Sequence, residues 1–244
     1  MIHVWLIMRR ELGSIFSTPI AYVFILMFLV MSGALTFFAS ELYEDNQTDL
    51  IRFFTFLPWL FLFLVPAIGM KTWSEERKLG TIELLVTLPI SLFSVVLGKF
   101  FALWLVIGFS LLLTFPLWLT LGYLGDPNVE AIIIGYVGSW LMSSAFLAIT
   151  MLMSALNKNQ VVAFIAAVSV CFLFVMIGSG GVLSTLSNYI DNTVLDTLTF
   201  FSFLPRFEGM AKGVMALDDS VYFVLFTLVW LSMSLVAIDL KKAS

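Results

Sequence analysis

Long apolar runs separated by short charged clusters set the pattern of this chain. Six runs approach or reach the length of a membrane-crossing helix: residues 20–39, 53–70, 100–122, 131–156, 160–181 and 221–238. A helical span needs roughly 20 mostly apolar residues, so the second run is short. The apolar positions are continuous and do not alternate with period two, which predicts helices rather than a barrel. Only Asn157, Lys158, Asn159 and Gln160 separate the fourth run from the fifth, and they predict a tight hairpin.

Before the first run, Trp5, Met8, Leu12, Ile15 and Phe16 recur at helical spacing around Arg9, Arg10 and Glu11. This pattern predicts an amphipathic helix along the membrane surface, over residues 1–19. Thr18-Pro19 favours a new helix start there over a simple extension of the first span. Between the fifth and sixth runs, residues 182–220 are only partly polar. Leu198, Phe200, Phe201, Phe203, Leu204 and Pro205 are too few to span, and so many phenylalanines favour an external re-entrant helix pair over a solvated loop. The expected fold is an all-α integral membrane domain over residues 1–244. It has six transmembrane helices, an N-terminal interfacial helix and an external re-entrant helix pair.

Composition agrees. Hydrophobic residues are 61% of the chain, charged residues 11%, and the mean hydropathy is +1.07, against about 25% charged residues in soluble domains. Six spans put both termini on one side, together with residues 71–99 and 157–160. That side holds nine of the twelve basic residues, so it is predicted to be cytoplasmic. Eleven of the sixteen acidic residues fall on the other side. The net charge of −4 thus comes from external loops, and no nucleic-acid partner is expected. The single Cys171 excludes an intrachain disulfide and reads as a small core residue.

The six runs contain no Asp, Glu, Lys, Arg or His. Ionisable groups inside a bilayer usually mark ion or proton paths, so their absence counts against an ion-coupled carrier and against an intramembrane enzyme. No HExxH, GxSxG or P-loop is present, and no catalytic or metal site is expected. His3 reads as an interfacial side chain. Any work done through this chain would draw its energy from another subunit. Ser143, Ser144, Thr150 and Ser154 give the fourth run a small, weakly polar stripe. Such stripes usually pack helices, with a substrate-facing groove as the sharper alternative.

The charged loop 71–99 carries the most information. Ser74-Glu75-Glu76-Arg77 begins like a capped helix, Gly80-Thr81 interrupts it, and Thr81-Ile82-Glu83 starts a second short helix that ends near Pro89. Ser91 is placed to cap the helix that passes through Lys99 into the third span. A structured helical loop held between two spans can transmit force, which a flexible loop cannot do; the plainer alternative is a solvated loop whose charges only set topology.

The string EERKLGTIELLVTLPIS followed by GK resembles the signature after the second span of type-2 ABC exporter permeases. RRELGSIFSTPIAYV resembles the interfacial helix of that family. YLGDPN, IIIGYVGSWLMSSAFLAI and SALNKNQVVAFI are similar to its gliding-motility branch (GldF-like). The resemblance covers essentially the whole chain. It implies a permease subunit paired with a second permease chain, the same or related, each docked to a cytoplasmic ABC ATPase subunit. ATP and Mg would be bound by that ATPase, with no cofactor in this chain. Glu75, Glu76, Arg77, Gly80, Thr81, Glu83 and Pro89 would form the coupling interface, with Arg77 and the carboxylates contacting the ATPase. Arg9, Arg10 and Glu11 would support the joint from the interfacial helix. The implied activity is export of a lipid-like, glycoconjugate, peptide or drug substrate. Alternatives are mechanical transmission to an external accessory protein, a non-ABC carrier, or a membrane scaffold.

Overall fold

Hydroxyl, amide and glycine positions set where the helices start and stop. A computed structural model describes residues 2–38, 50–81, 90–124, 127–187 and 189–240, all helices and connecting turns. The first helix, α1 (Ile2–Ser17), ends at Thr18, and α2 (Pro19–Phe38) leaves at 75° to it. Pro19 lacks the N–H that would continue α1, and it is suited to a first helical position.

Helix α3 (Ile51–Gly69) tolerates two internal prolines, Pro58 and Pro66. Met70 keeps right-handed helical angles (φ −57, ψ −29), so α3 runs on into α4 (Lys71–Leu79) as one 29-residue rod. Gly80 ends the rod. Its φ of 71 is left-handed, and its N–H returns to the Glu76 carbonyl, a conformation glycine adopts without strain. The helix therefore begins at Lys71 rather than at Ser74, whose hydroxyl instead donates back to the Met70 carbonyl at 2.6 Å.

Ser91 caps α5 (Leu92–Leu112) as its spacing predicts, accepting from the Ser94 N–H. The third span thus begins well before residue 100, and it breaks at Leu113-Thr114 before α6 (Phe115–Leu124). Asn128 caps α7 (Val129–Leu156), and Asn159 caps α8 (Gln160–Met176). The helix of the fifth apolar run stops at Met176, five residues short of 181, and a separate short helix, α9 (Gly180–Leu186), follows the Gly178-Ser179 break. Then come α10 (Asn192–Phe201), α11 (Phe203–Ala211) and α12 (Leu217–Leu240).

Among the described residues, four units are long and apolar enough to cross a membrane: the α3–α4 rod, α5 with the start of α6, α7 and α12. The bent α1–α2 pair makes a fifth if it is counted as one span. Against the six expected spans, α8 is apolar but has only 17 residues.

At the centre is α7, packed against α12, α3, α8, α11, α5 and α4. Every residue from Met142 to Thr150 is buried, as expected of a helix without a polar face. Small residues let neighbours approach closely. A Cβ on Gly138 would stand 2.7 Å from the Met210 side chain, and one on Gly69 2.7 Å from Thr150. The polar stripe packs rather than lining a groove: Ser143, Ser144, Thr150 and Ser154 are all buried, and Ser144 bonds Thr227 of α12 at 2.8 Å.

Helix α11 runs antiparallel to α7. Phe203 lies against Phe146 (5.2 Å between ring centres), Met210 against Gly138, and Gly213, at φ 85, against Ala131. The α10–α11 turn at Ser202 is buried, and its hydroxyl donates to the Phe174 carbonyl at 3.0 Å. Since Phe146 is 17 residues past Val129, this turn sits about 25 Å along α7 at 1.5 Å per residue.

Candidate functional site

Charged side chains of α1, α4 and α5 meet at the end of the bundle where α4 projects. Lys99 is only 6% exposed, and its ammonium lies 2.8 Å from Glu76 and 3.4 Å from Glu11. Arg10 adds a contact to Glu11 at 2.8 Å. The order Arg10, Glu11, Lys99, Glu76 alternates in sign, so each buried charge has an opposite neighbour. This is the condition under which buried ions are tolerated. Trp73, fully buried, places its ring 5.3 Å from the Lys99 ammonium, in the range of a cation–π contact. Gly98 makes the joint possible, because a Cβ there would stand 2.6 Å from Ile7 and 3.2 Å from the Val4 carbonyl. A cleft of ≈ 610 Å³ opens beside the joint and is lined in part by Arg10, Lys71, Glu75 and Lys99.

The other side of α4 is fastened to α7. The Ser154 hydroxyl accepts from the backbone N–H groups of Trp73 and Ser74, each at 3.0 Å, and donates to the Met70 carbonyl at 2.7 Å. No side chain of α4 itself caps this turn, so Ser154 does so from a neighbouring helix. Arg77 donates to the Ala155 carbonyl at 2.7 Å, in the last turn of α7, where a cation also meets the negative end of the helix dipole. Ser154→Ala is expected to destabilise the folded chain by about 1–2 kcal/mol, the cost of a lost cap with buried donors left unpaired. A thermal melt of the solubilised protein checks this, and a melt identical to wild type would remove Ser154 from the joint.

The residues expected at the coupling interface therefore divide. Glu76 and Arg77 turn inward and fasten α4 to α5 and α7, and Glu11 ties α1 to Lys99 of α5, whereas Arg10 is exposed and contacts only its neighbour Glu11. Glu75, Gly80 and Thr81 are exposed, with Thr81 donating to the Glu76 carbonyl at 3.3 Å. Arg9 is exposed on α1. Glu83 and Pro89 lie outside the described residues. Sequence reading passed over Lys99, Trp73, Ser154 and Leu79. Leu79, 68% exposed at the tip of the rod, is signalled only by being a leucine in an otherwise polar turn. Lys99 is signalled by its place eight residues inside the helix that Ser91 caps.

A second latch closes the opposite end. Arg206 of α11 is 11% exposed and pairs with Asp219 of α12 at 2.9 Å. Its Nε donates to the Phe200 carbonyl at 2.9 Å, and its guanidinium lies 4.3 Å from the Phe200 ring and 4.2 Å from the Tyr222 ring. The Tyr222 hydroxyl donates to the Phe201 carbonyl at 2.6 Å. Among the described residues, no group of three His, Cys, Asp or Glu side chains stands close enough to hold a metal ion.

An all-helical chain with several bilayer-length apolar helices and a braced helix projecting from one end is an integral membrane protein of the transporter-subunit kind. The ABC-2 family transporter protein family matches residues 23–238, and the chain belongs to that family. It is thus a membrane permease subunit of an ABC transporter, a class that has no ATPase site of its own and works with an ATPase partner. No curated protein matches the chain.

Proposed function

We propose that this chain couples ATP hydrolysis by a separate cytoplasmic ATPase to export of a lipid-like, glycoconjugate, peptide or drug substrate. The supporting observation is the α3–α4 rod. Its inner face is fixed to α1, α5 and α7 by Lys99 and Ser154, while Glu75, Lys78, Leu79, Gly80 and Thr81 stand exposed at its end. A push on that tip passes to three other helices instead of being lost in a flexible loop. The ATPase, carrying ATP and Mg, docks on this tip. Its closure shifts the permease between inward- and outward-facing populations by differential contacts. In this reading α2 and α8 each cross the membrane, giving six crossings with both termini cytoplasmic, an arrangement that puts nine of the twelve basic residues on the cytoplasmic side. Helix α1 lies at the interface, and the α10–α11 pair re-enters from outside, consistent with the depth of Ser202 along α7. The chain works in a bacterial inner membrane as a pair with the same or a related permease, and its sequence resembles the gliding-motility branch. Exposed Tyr189, ahead of the re-entrant pair, favours one second reading, in which the motion acts on an external partner protein.

Leu79→Glu tests the docking face without touching the inner contacts. Recovery of the coexpressed ATPase with the tagged chain is expected to fall about tenfold or more, as for an interface anchor. Unchanged recovery would remove the α4 tip from the interface while leaving family membership intact.

A further inference from the structure

An apolar cavity of ≈ 650 Å³ lies between α1, α5 and α7, on the far side of α1 from the charged cleft. Its volume is that of a small-ligand site. Leu12 and Phe16 of α1 line it, and along α5 the lining runs from Leu105 to Leu112 past Gly108. Seven residues of helix give the slot a length of about 10 Å. On α7 the wall is Tyr136, Val137 and Trp140.

The polar atoms of this wall are already engaged. The Tyr136 hydroxyl bonds Thr114 at 2.7 Å, and the Trp140 Nε1 donates to the Trp104 carbonyl at 3.1 Å. Trp104 returns the bond to the Trp140 carbonyl at 2.9 Å, and the two rings stack 4.0 Å apart. The walls therefore make no hydrogen-bond demand, and they suit an alkyl chain better than a polar ligand. The one cation on the same face of α1 is Arg9, one turn before Leu12. It is exposed, and no ion pair holds it among the described residues.

We propose that this slot holds one acyl chain of an anionic membrane phospholipid whose phosphate is met by Arg9. The proposal rests on α1 lying at the cytoplasmic interface, so that the headgroup end of an inner-leaflet lipid falls beside Arg9. A cation near the headgroup layer attracts anionic lipid, and the slot converts that attraction into a resident lipid. The bound lipid would then sit against α1, the helix whose Glu11 contacts Lys99.

The test uses the full chain in lipid nanodiscs containing equal phosphatidylglycerol and phosphatidylcholine. Either lipid carries a photoactivatable diazirine on its acyl chain. Adducts from phosphatidylglycerol are expected within residues 105–112 and 136–140, about fivefold above those from phosphatidylcholine, the preference that one near-surface cation supplies. Arg9→Gln is expected to erase that preference without moving the adducts. Val137→Trp or Leu105→Trp is expected to fill the slot and cut labelling there about tenfold. If both filled variants aggregate, the wild-type adduct map and its headgroup preference decide alone. Adducts spread evenly over the lipid-facing sides of α2 and α12 overturn the slot. Equal labelling by both lipids overturns the role of Arg9. Neither failure bears on ATPase docking at Leu79.

Discussion

Lys99→Met is expected to destabilise the protein by about 3 kcal/mol, the lower end of the range for removing one partner of a buried ion pair. The lower end applies because Glu11 and Glu76 are each about one-fifth exposed and border a polar cleft. Among the described residues, Lys99 is the only cation in contact with both carboxylates. Without it, Glu76 keeps a buried oxygen, Oε2, that already has no hydrogen-bond partner among the described residues, and the second oxygen joins it. Methionine fills a similar volume, so the loss is electrostatic rather than a cavity. The second variant, Lys99→Met with Glu76→Gln, is expected to recover part of the loss, because it removes the unpaired charge while Glu11 keeps Arg10. Thermal unfolding of the three proteins in detergent measures this. If the single variant is as stable as wild type, the charges do not hold α1, α4 and α5 together. If the double variant is less stable than the single, the cost lies in packing and not in unpaired charge.

Lys99 also shows where sequence reading stops. Periodicity and caps placed the Thr18-Pro19 break, the Ser91 cap, the Gly80 stop and the 157–160 hairpin, because each depends on neighbours within four residues. The same local logic put Lys99 among the charges that set topology, since nothing within a turn of it indicates a partner. Its partners, Glu11 and Glu76, arrive from helices 88 and 23 residues away in sequence. Arg77 shows the same limit. The resemblance assigns it to the ATPase contact, and within this chain its guanidinium reaches the Ala155 carbonyl, 78 residues away, a contact no local pattern signals. Apolar runs predict that a helix exists but not where it ends. The 160–181 run continues past Met176 in hydropathy, yet the backbone breaks at Gly178-Ser179, where the α10–α11 turn crowds in and a Cβ on Gly178 would collide with the Ser202 hydroxyl. Length and composition set the class of fold; long-range close approach sets the joint.

Arg206→Met is expected to loosen the outer end as Lys99→Met loosens the inner, and locally more than globally. Arginine at this point joins α11 to α12 through Asp219 and folds the end of α10 over itself through the Phe200 carbonyl. Its planar guanidinium also fills the space between the Phe200 and Tyr222 rings, a contact worth about 0.5–2 kcal/mol when desolvated. Methionine keeps the apolar contact with the rings but leaves Asp219, only 18% exposed, without its cation. The expected loss is about 2–3 kcal/mol, short of the full penalty for a buried charge because Asp219 retains some solvent. Residues 192–211 carry that loss first. Phe203 and Phe207 still anchor α11 in the aromatic core, whereas α10 keeps few buried side chains. Amide exchange should therefore quicken through 192–201 by roughly 30-fold or more, matching 2 kcal/mol at RT ≈ 0.59 kcal/mol, while α7 and α12 keep their protection. Uniform acceleration across the bundle would mean that Arg206 supports global stability and that no separable outer latch exists. Unchanged exchange would mean that the aromatic packing alone closes this end, with the ion pair at its surface contributing nothing to closure.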